Sequence, residues 1–442
     1  MSAWQRLSRG LPSFRNGVHP PEHKELTSAI ASRRLPFSDE IILPLSQHIG
    51  RPAEALVKPG DRVERGDVIA ESSGFVSSRV HASAAGIVKS IEHWPHPAGA
   101  MQPSVRIEVD PHSTQLQRPR LVPHWDEVPA EQLSEEISKA GIVGLGGAAF
   151  PSHVKLRPPE DQPVDVLMVN GCECEPYLSA DNRLMIEAAS PVINGALLAA
   201  RAAGAERIVV SIEDNKPEAL AAMREAAAGS GVEVSSIATK YPQGAEKQLV
   251  LVTLGRTVPR GGLPLDVGVV VVNVGTAAAI ARAVQRGKPL THRIVTVSGD
   301  GIATPKNVLV PIGTAYRDVI EFAGGLRSDA ARVIAGGPMM GFTLGEFGVP
   351  VTKGTSGITV LTHDNLRQAE ETACVRCGRC VDVCPMKLVP TRIALAARYG
   401  SWDLVGRFHA DACMECGCCA FECPAQIPLV QLIRLGKVHL AA

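Results

Sequence analysis

CVRCGRCVDVCP (residues 374–385) and CMECGCCAFECP (residues 413–424) are two copies of one pattern, C-x2-C-x2-C-x3-C-P. A run of three Cys at that spacing wraps three irons of a [4Fe–4S] cubane, and the fourth Cys, before the Pro, serves the neighbouring cluster. Cys374, Cys377, Cys380 and Cys423 are therefore assigned to one cluster (cluster I), and Cys413, Cys416, Cys419 and Cys384 to the other (cluster II). Zinc sites more commonly use two separated pairs of ligands, so a pair of zinc sites is the weaker reading. Cys418 is surplus to both runs and reads as a buried thiol. Nine of the eleven Cys lie between Cys374 and Cys423. Such clustering in a long chain points to metal, whereas a disulfide framework spreads along a small secreted domain.

Between the runs, PTRIALAARYGSWDLVGRFHAD (390–411) reads as helical, with apolar faces at Ile393, Leu395, Ala396, Leu404 and Val405. From His363 to Ala442 there are nine Lys/Arg against eight Asp/Glu. A free ferredoxin is commonly acidic, so this segment reads as an internal wire. Upstream, about 130–290, strand and helix patterns alternate. The runs 164–171, 206–214 and 266–275 are almost continuously apolar, as in strands buried on both faces. Pro191–Gly204 and Pro217–Ala228 read as helices opened by proline, with glycine at or just beyond their ends. The pattern is a Rossmann-like α/β layer.

Within that layer, GIVGLGGAAFPSHVKL (141–156) places Gly144, Gly146 and Gly147 where backbone amides can approach a phosphate, with Lys155 adding charge. A lone glycine-rich loop is weak evidence, and this one does not follow the first strand as G-x-G-x-x-G does. Its weight comes from the polar turns NGCECEPYLSADNR (170–183), KYPQGAEKQLV (240–250) and NVGTAAAI (273–280), which read as following apolar strands, where α/β folds place ligands.

Composition narrows the remaining classes. Acidic and basic residues balance at 45 each and aromatics are 4%, which argues against a nucleic-acid partner. MSAWQRLSRGLPSFRNG shows no signal-peptide core, and Val267–Ala281 is too short to span a bilayer. The expectation is a soluble, intracellular chain that meets a membrane through partners.

With these motifs assembled, the chain strongly resembles the RnfC (RsxC) family, a component of the Rnf electron-transport complex, over essentially its whole length. HPPEHK (19–24), the glycine loop, the ECEP turn, the KYPQG turn and both Cys runs carry the likeness. More distantly, the middle domain looks like the FMN- and NADH-binding subunit of respiratory complex I. That resemblance implies contacts to non-covalent FMN from Gly144, Gly146, Gly147, Lys155, Asn170, Asp181, Asn273 and Thr276. It implies NADH-side roles for Glu173, Glu175, Gly244 and Glu246. Taken alone, the acidic residues read equally well as solvated loop charges, and Asp181 as an N-cap. Cys172 departs from the related pattern, which has a small non-thiol residue there.

The implied fold is multidomain α/β. Residues 1–35 are an N-terminal arm. Residues 36–112 form a lipoyl-like barrel-sandwich module, with LVKPGDRVERGDVIAE and VHASAAGIVKSIE as its halves. Residues 130–290 form the Rossmann-like FMN/NADH domain, 291–362 a β-grasp module and 363–442 a helical two-cluster domain. No Lys lies between Glu71 and Gly86, so the barrel reads as a docking module without a carrier lysine. GGPMMG (336–341) reads as an interdomain packing turn or, less readily, a nucleotide turn.

The implied function is to pass electrons between NAD(H), FMN and two [4Fe–4S] clusters in an ion-translocating ferredoxin:NAD oxidoreductase. The implied partners are a ferredoxin-like subunit and integral membrane subunits, with the chain held peripherally on the cytoplasmic face of a bacterial inner membrane. No catalytic side chain is named, because hydride transfer to a flavin requires none. The alternatives are a flavin iron–sulfur corrinoid reductase of a bacterial microcompartment and a non-enzymatic cluster-bearing scaffold.

Overall fold

The apolar runs of the middle domain become a four-stranded, all-parallel sheet. Its order is Glu233–Ile237, Arg207–Glu213, Val166–Asn170, Val269–Asn273 in a computed structural model that describes residues 10–117, 121–122, 124–366 and 370–441. The first nine residues of the N-terminal arm, and residues 118–120, 123, 367–369 and 442, lie outside the described residues. The strands are shorter than the apolar runs, and the cause is local. Pro264–Val267 forms a 3-10 turn, and the Asn273 side chain accepts from the Gly275 amide, so a helix, Val274–Arg286, begins at Val274. Asn and other short polar side chains stop strands and start helices in this way. That helix packs against Ala189–Ala203 so closely that a Cβ on Gly195 would lie 1.7 Å from the Ala277 carbonyl oxygen. The Ala-rich character of both helices permits this approach. Ala189–Ala203 starts two residues before Pro191 and ends where Gly204 turns left-handed at φ +72°.

The residues before this domain form two small sheets. One has the order Glu40–Pro44, Met101–Val109, Gly86–Pro95, Arg62–Val63, and the other Glu54–Ala55, Val68–Glu71, Val80–His81. Phe75, 78% exposed, lies in the hairpin between Glu71 and Val80. Ile41, Ile69, Val88 and Ile107 of this module join one continuous core with Leu133, Leu167 and Ile280 of the parallel-sheet domain. The two modules therefore have little freedom to separate.

After the parallel sheet comes a six-stranded mixed sheet ordered Arg33–Arg34, Lys306–Pro311, His292–Ser298, Gly357–Thr362, Ala330–Ala335, Phe342–Thr343, with the helix Tyr316–Phe322 in the same unit. Its first strand comes from the N-terminal arm, Arg33 and Arg34 pairing in parallel with Val308 and Leu309. The arm is thus woven into this module.

The C-terminal residues form helices Pro390–Arg398, Trp402–Arg407 and Leu429–Ala441 around the two Cys runs. The single helical stretch expected over 390–411 is broken at Gly400, φ +66°, because a left-handed residue cannot continue a right-handed helix. The two runs are conformational copies. Arg376 and Glu415 have φ of 55° and 58°, Gly378 and Gly417 80° and 84°, and Lys387 and Gln426 55° and 52°. Left-handed residues repeat at matching positions, and most of them are not glycine, so the spacing dictates one loop shape twice. Among the described residues no helix is long and apolar enough to cross a membrane.

Candidate functional site

All the polar turns singled out in the sequence gather at the C-terminal edge of the parallel sheet. Asn170 ends one strand, Glu213 the next and Asn273 the fourth. The glycine loop lies against this edge: the Leu145 amide donates to Thr276 Oγ1 at 2.9 Å, and a Cβ on Gly146 would come within 3.3 Å of Asn273 Cβ. Gly147 has φ +122° with open space around the position a Cβ would take. A side chain at Gly146 would be crowded and one at Gly147 strained, while both residues remain exposed to a ligand.

Around the loop, Asn170 Nδ2 donates to the Gly244 carbonyl at 2.8 Å, and Asn273 Nδ2 to Asp181 at 2.6 Å. Lys155 and Glu246 form a half-buried ion pair at 2.5 Å. Burial first, and the Glu173 carboxylate second, push the Asp181 carboxyl up to about 7. An acid so raised is uncharged for a large part of the time near neutrality, which lowers its repulsion of a nearby anion. Gly144, Gly146, Gly147, Lys155, Asn170, Asp181, Gly244, Glu246, Asn273 and Thr276 are thereby brought into one site.

Glu173 and Glu175, to which the resemblance gives NADH-side roles, each accept from backbone amides within the protein. Glu173 accepts from the amides of Asp181 (2.8 Å) and Asn182 (3.0 Å), capping the helix Ala180–Glu187. Glu175 accepts from the amides of Met339 (2.7 Å) and Met340 (3.2 Å), and a Cβ on Gly337 would lie 2.2 Å from its Cγ. Desolvation raises the Glu175 carboxyl, with those two amides and Lys24 pulling it back. GGPMMG is thus a packing turn between the ECEP turn and the cluster domain, where Arg434 donates to the Met340 carbonyl.

Beneath the ECEP turn lies a residue to which sequence reasoning assigned no role. Lys24 is buried, and its ammonium donates to the carbonyls of Glu173 (2.8 Å), Glu175 (2.8 Å) and Leu178 (2.5 Å). Those bonds hold a turn in which Glu173 (φ 48°) and Tyr177 (φ 67°) are both left-handed. Nearby, Glu213 and Lys216 pair at 2.9 Å with almost no exposure. HPPEHK marked the region without saying what Lys24 does. The first of its partners is 149 residues distant in sequence, where periodicity carries no signal.

Seven of the eight cluster-run thiols fall into two neighbourhoods. Cys380 feels Cys377 and Cys423. Cys384, Cys413, Cys416 and Cys419 feel one another. The second four also line one cavity, with Pro385, Met386, Leu388 and Ile393 among its walls. Burial, as the largest cause, raises the thiols of Cys384 and Cys419 and takes Cys413 to about 11. Burying four thiols together is a poor arrangement for free cysteine and a fitting one for thiolates bonded to a cubane. Backbone amides already point at sulfur, Leu388 to Cys384 at 3.3 Å and Glu415 to Cys413 at 3.4 Å. Among the described residues no three His, Cys, Asp or Glu side chains converge on a single-ion position.

Cluster II's loop is fastened to the flavin side. Tyr241, buried in the KYPQG turn, donates its hydroxyl to the Cys416 carbonyl at 2.7 Å. Gln248 donates to the Pro385 carbonyl, and Cys174 and Cys418 pack in the same small apolar cluster as Tyr241 and Cys416. Cys172 is wholly buried against the Ser211 carbonyl.

Comparison with known proteins agrees with this geometry. Four family models match: an RnfC barrel sandwich hybrid domain over residues 12–112, a Nuo51 FMN-binding domain over 137–282, an SLBB domain over 294–343 and a 4Fe-4S dicluster domain over 373–427. The chain is 46% identical to the C component of the proton-translocating ferredoxin:NAD(+) oxidoreductase complex of Clostridium ljungdahlii, over 87% of this chain and 84% of that one. It is 45% identical to the C component of the Na(+)-translocating complex of Acetobacterium woodii, over 97% of both. It is 42% identical to the C component of the ion-translocating oxidoreductase complex of Rhodobacter capsulatus, over 97% of this chain and 83% of that one. Among solved structures, an NAD+-reducing [NiFe]-hydrogenase in the air-oxidized state matches at 22% identity and TM-score 0.47, covering 64% of this chain and 57% of that one.

Proposed function

Because this chain belongs to the RnfC family of the ion-translocating oxidoreductases, we propose that it is the NAD(H)-linked electron-input subunit of such a complex. FMN exchanges an electron pair with nicotinamide and single electrons with iron–sulfur clusters, which is the conversion this family's chemistry needs. The observation that carries the reading is the bond from Tyr241 to the Cys416 carbonyl, which joins the flavin-side turn directly to a cluster loop.

The chain's own residues have defined tasks in this scheme. The exposed loop amides around Gly146 and Gly147, with Lys155, receive the flavin phosphate. Thr276 and Asn273 hold the loop's floor, Asn170 fixes the Gly244 turn, and Asp181 is partly protonated beside them. Gly244 and Glu246 stay on the accessible side for the dinucleotide. Glu173, Glu175 and Lys24 fix the turn that shapes that side. Cluster II stands next to the flavin domain. Cluster I, whose Cys377 is exposed, is the outlet toward a ferredoxin-like subunit. Integral membrane subunits hold the chain at the cytoplasmic face of the bacterial inner membrane.

Anaerobic purification with flavin and iron analysis, followed by NADH addition under optical and EPR observation, tests the reading. Non-covalent FMN, about eight irons per chain and bleaching by NADH are expected. Iron without flavin, or clusters that NADH leaves oxidised, would sink it.

A further inference from the structure

A concave region that borders the flavin loop at Leu145 and Gly275 runs along the helix Val274–Arg286. It is a cleft of about 320 Å³ where the N-terminal arm, the barrel module, the parallel-sheet domain and the β-grasp module meet. Its walls bring together six basic side chains from all four: Arg34, Arg65, Arg282, Arg286, Lys288 and Arg293. The one carboxylate in the lining is Asp181, bonded to Asn273. None of the six cations has an ion-pair partner among the described residues, whereas Arg62, Arg106, Arg183, Arg207, Arg256 and Arg434 elsewhere in the chain each hold a carboxylate. Arg293 is satisfied internally by carbonyls, including that of Leu145. The other five form the open, uncompensated face.

Two of the five, Arg34 and Arg65, are held in place without being neutralised. Arg34 and Arg65 both lie over the ring of Phe37, at 6.0 and 5.5 Å. Arg65 donates to the Gln115 carbonyl at 2.9 Å, while its Nε is buried with no partner. Burial and then the neighbouring Arg34 push Arg65 down to about 10, and burial followed by Arg65 and the other arginines lowers Lys288. Concentrating like charges in this way costs stability, and an anion of matching valence recovers it. The cleft's remaining wall is mixed, with apolar Leu184, Ala278, Ala279, Ile294 and Leu309 beside polar Gln117, Thr291 and His292.

The cleft meets the flavin phosphate loop at one end, where Leu145, Asp181 and Gly275 line it, and its unpaired cations lie toward the other. Arg282 and Arg286 stand seven and eleven residues beyond Gly275 on one helix. At 1.5 Å per residue that is roughly 10 and 16 Å along the helix axis from Gly275, whose end of the helix faces the glycine loop. A phosphate held at Gly146 and Gly147 therefore leaves these arginines unengaged.

We propose that this cleft is a binding site for an organic polyphosphate, a phosphoester carrying two or more phosphoryl groups, clamped by Arg65, Arg282, Arg286 and Lys288. Several cations converging on one volume of ligand size suit a compact polyanion. An extended acidic segment would be served better by a stripe. A ligand here touches all four modules at once, so its occupancy ties the arm and barrel to the flavin domain.

The test uses the purified holoprotein with FMN and clusters in place and NAD+ present at saturation, titrated calorimetrically with inorganic pyrophosphate and, separately, orthophosphate. One pyrophosphate per chain is expected, bound more tightly than orthophosphate and weakened by added salt. Arg282→Gln with Arg286→Gln should weaken it about a hundredfold, about tenfold per lost charge-assisted contact. Lys288→Gln alone should weaken it about tenfold and serves if the double variant loses its flavin or iron. Absence of pyrophosphate binding, or unchanged affinity in the folded variants, overturns the proposal. So does a signal present without NAD+ and lost when NAD+ saturates, because the anion then sits in the dinucleotide site. Binding to phosphatidylglycerol vesicles without binding to pyrophosphate would assign the cations to a membrane surface and overturn it as well.

Discussion

Replacing Lys24 by Met tests whether the ECEP turn is built by the three bonds from one buried ammonium. The substitution keeps the length of the side chain and removes all three donors, to Glu173, Glu175 and Leu178. Charge-assisted bonds contribute about 1.5–3 kcal/mol each, so the gross loss is about 4–9 kcal/mol. Relief of the buried ammonium offsets several kcal/mol of this. The direction of the Lys24 shift agrees, since burial lowers it against the pull of Glu173. The net expectation is a loss of about 2–4 kcal/mol, confined to the flavin side. Glu173 and Tyr177 are left-handed without being glycine, a conformation that costs of order 1–3 kcal/mol each and survives only where neighbours enforce it. Without Lys24 the turn relaxes.

Three readouts separate this from general damage. In Lys24→Met, KM for NADH should rise at least tenfold and flavin should be lost on gel filtration, while iron stays at about eight per chain. Lys24→Arg should not rescue, because a planar guanidinium cannot direct three bonds from one nitrogen at carbonyls placed around a point. A Lys24→Met protein with unchanged KM, flavin retention and thermal midpoint would refute the reasoning.

Three further outcomes follow from the geometry. Cys384→Ser combined with Cys413→Ser should leave one cluster and about four irons, whereas Cys384→Ser combined with Cys374→Ser should lose both; equal iron in the two double variants would break the crossed assignment. Tyr241→Phe removes the positive end of a dipole from the cluster II loop, so the potential of one cluster should fall by about 20–60 mV, as an EPR-monitored redox titration reads it, with the other unmoved. Lys353, donating to the carbonyls of Arg79 and Gly141, is pushed by burial down to about 7. Between that value and the ordinary 10.5 the unfolded chain binds more protons, so stability should rise with pH by up to about 1.4 kcal/mol per unit. Thermal midpoints of Lys353→Met at pH 7 and 9 should lack that rise.

How much of this was readable in advance depended on how locally each feature is encoded. The cluster ligands of each run fall within a few helical turns' length of chain, and loop shape follows from that spacing alone. The parallel strands were legible as apolar runs because burial on both faces removes alternation. Their ends were not, because Asn273 and the Pro264 turn cut them by side-chain capping. Lys24, Tyr241 and the Glu175–Met339 contact were invisible for a different reason: their partners are 149–154, 175 and 164 residues away. The basic cleft is the extreme case. Arg282, Arg286, Lys288 and Arg293 do form a basic stretch without a carboxylate, but nothing in the sequence brings Arg34 and Arg65 to it across more than 200 residues.

The cluster domain is attached asymmetrically, and this asymmetry gives the electron route a direction that can be tested. On the cluster II side, Tyr241 holds the Cys416 carbonyl, Gln248 that of Pro385, and the Gly17 amide donates to Val383. The Gly417 turn is pressed so near Met339 that a Cβ would lie 2.6 Å from its carbonyl oxygen. These anchors are on backbone atoms, which move less than side chains, so they fix the separation between flavin and cluster. Among the described residues cluster I has no such fastening along its first loop: residues 375 to 379 are all exposed, Val375 by 66%, with Arg376 and Arg379 flanking Cys377. An apolar residue beside a ligand, ringed by two arginines, is the composition of an electron-transfer contact with an acidic partner, where charge governs encounter and little area is buried. Arg376→Glu with Arg379→Glu should therefore leave NADH bleaching of both clusters at the wild-type rate. Onward transfer to an acidic ferredoxin-like partner should slow at least tenfold at low salt, with the difference shrinking as salt is raised. Equal onward rates at low salt would place the outlet elsewhere, and slowed bleaching would mean that the flavin reaches cluster I first.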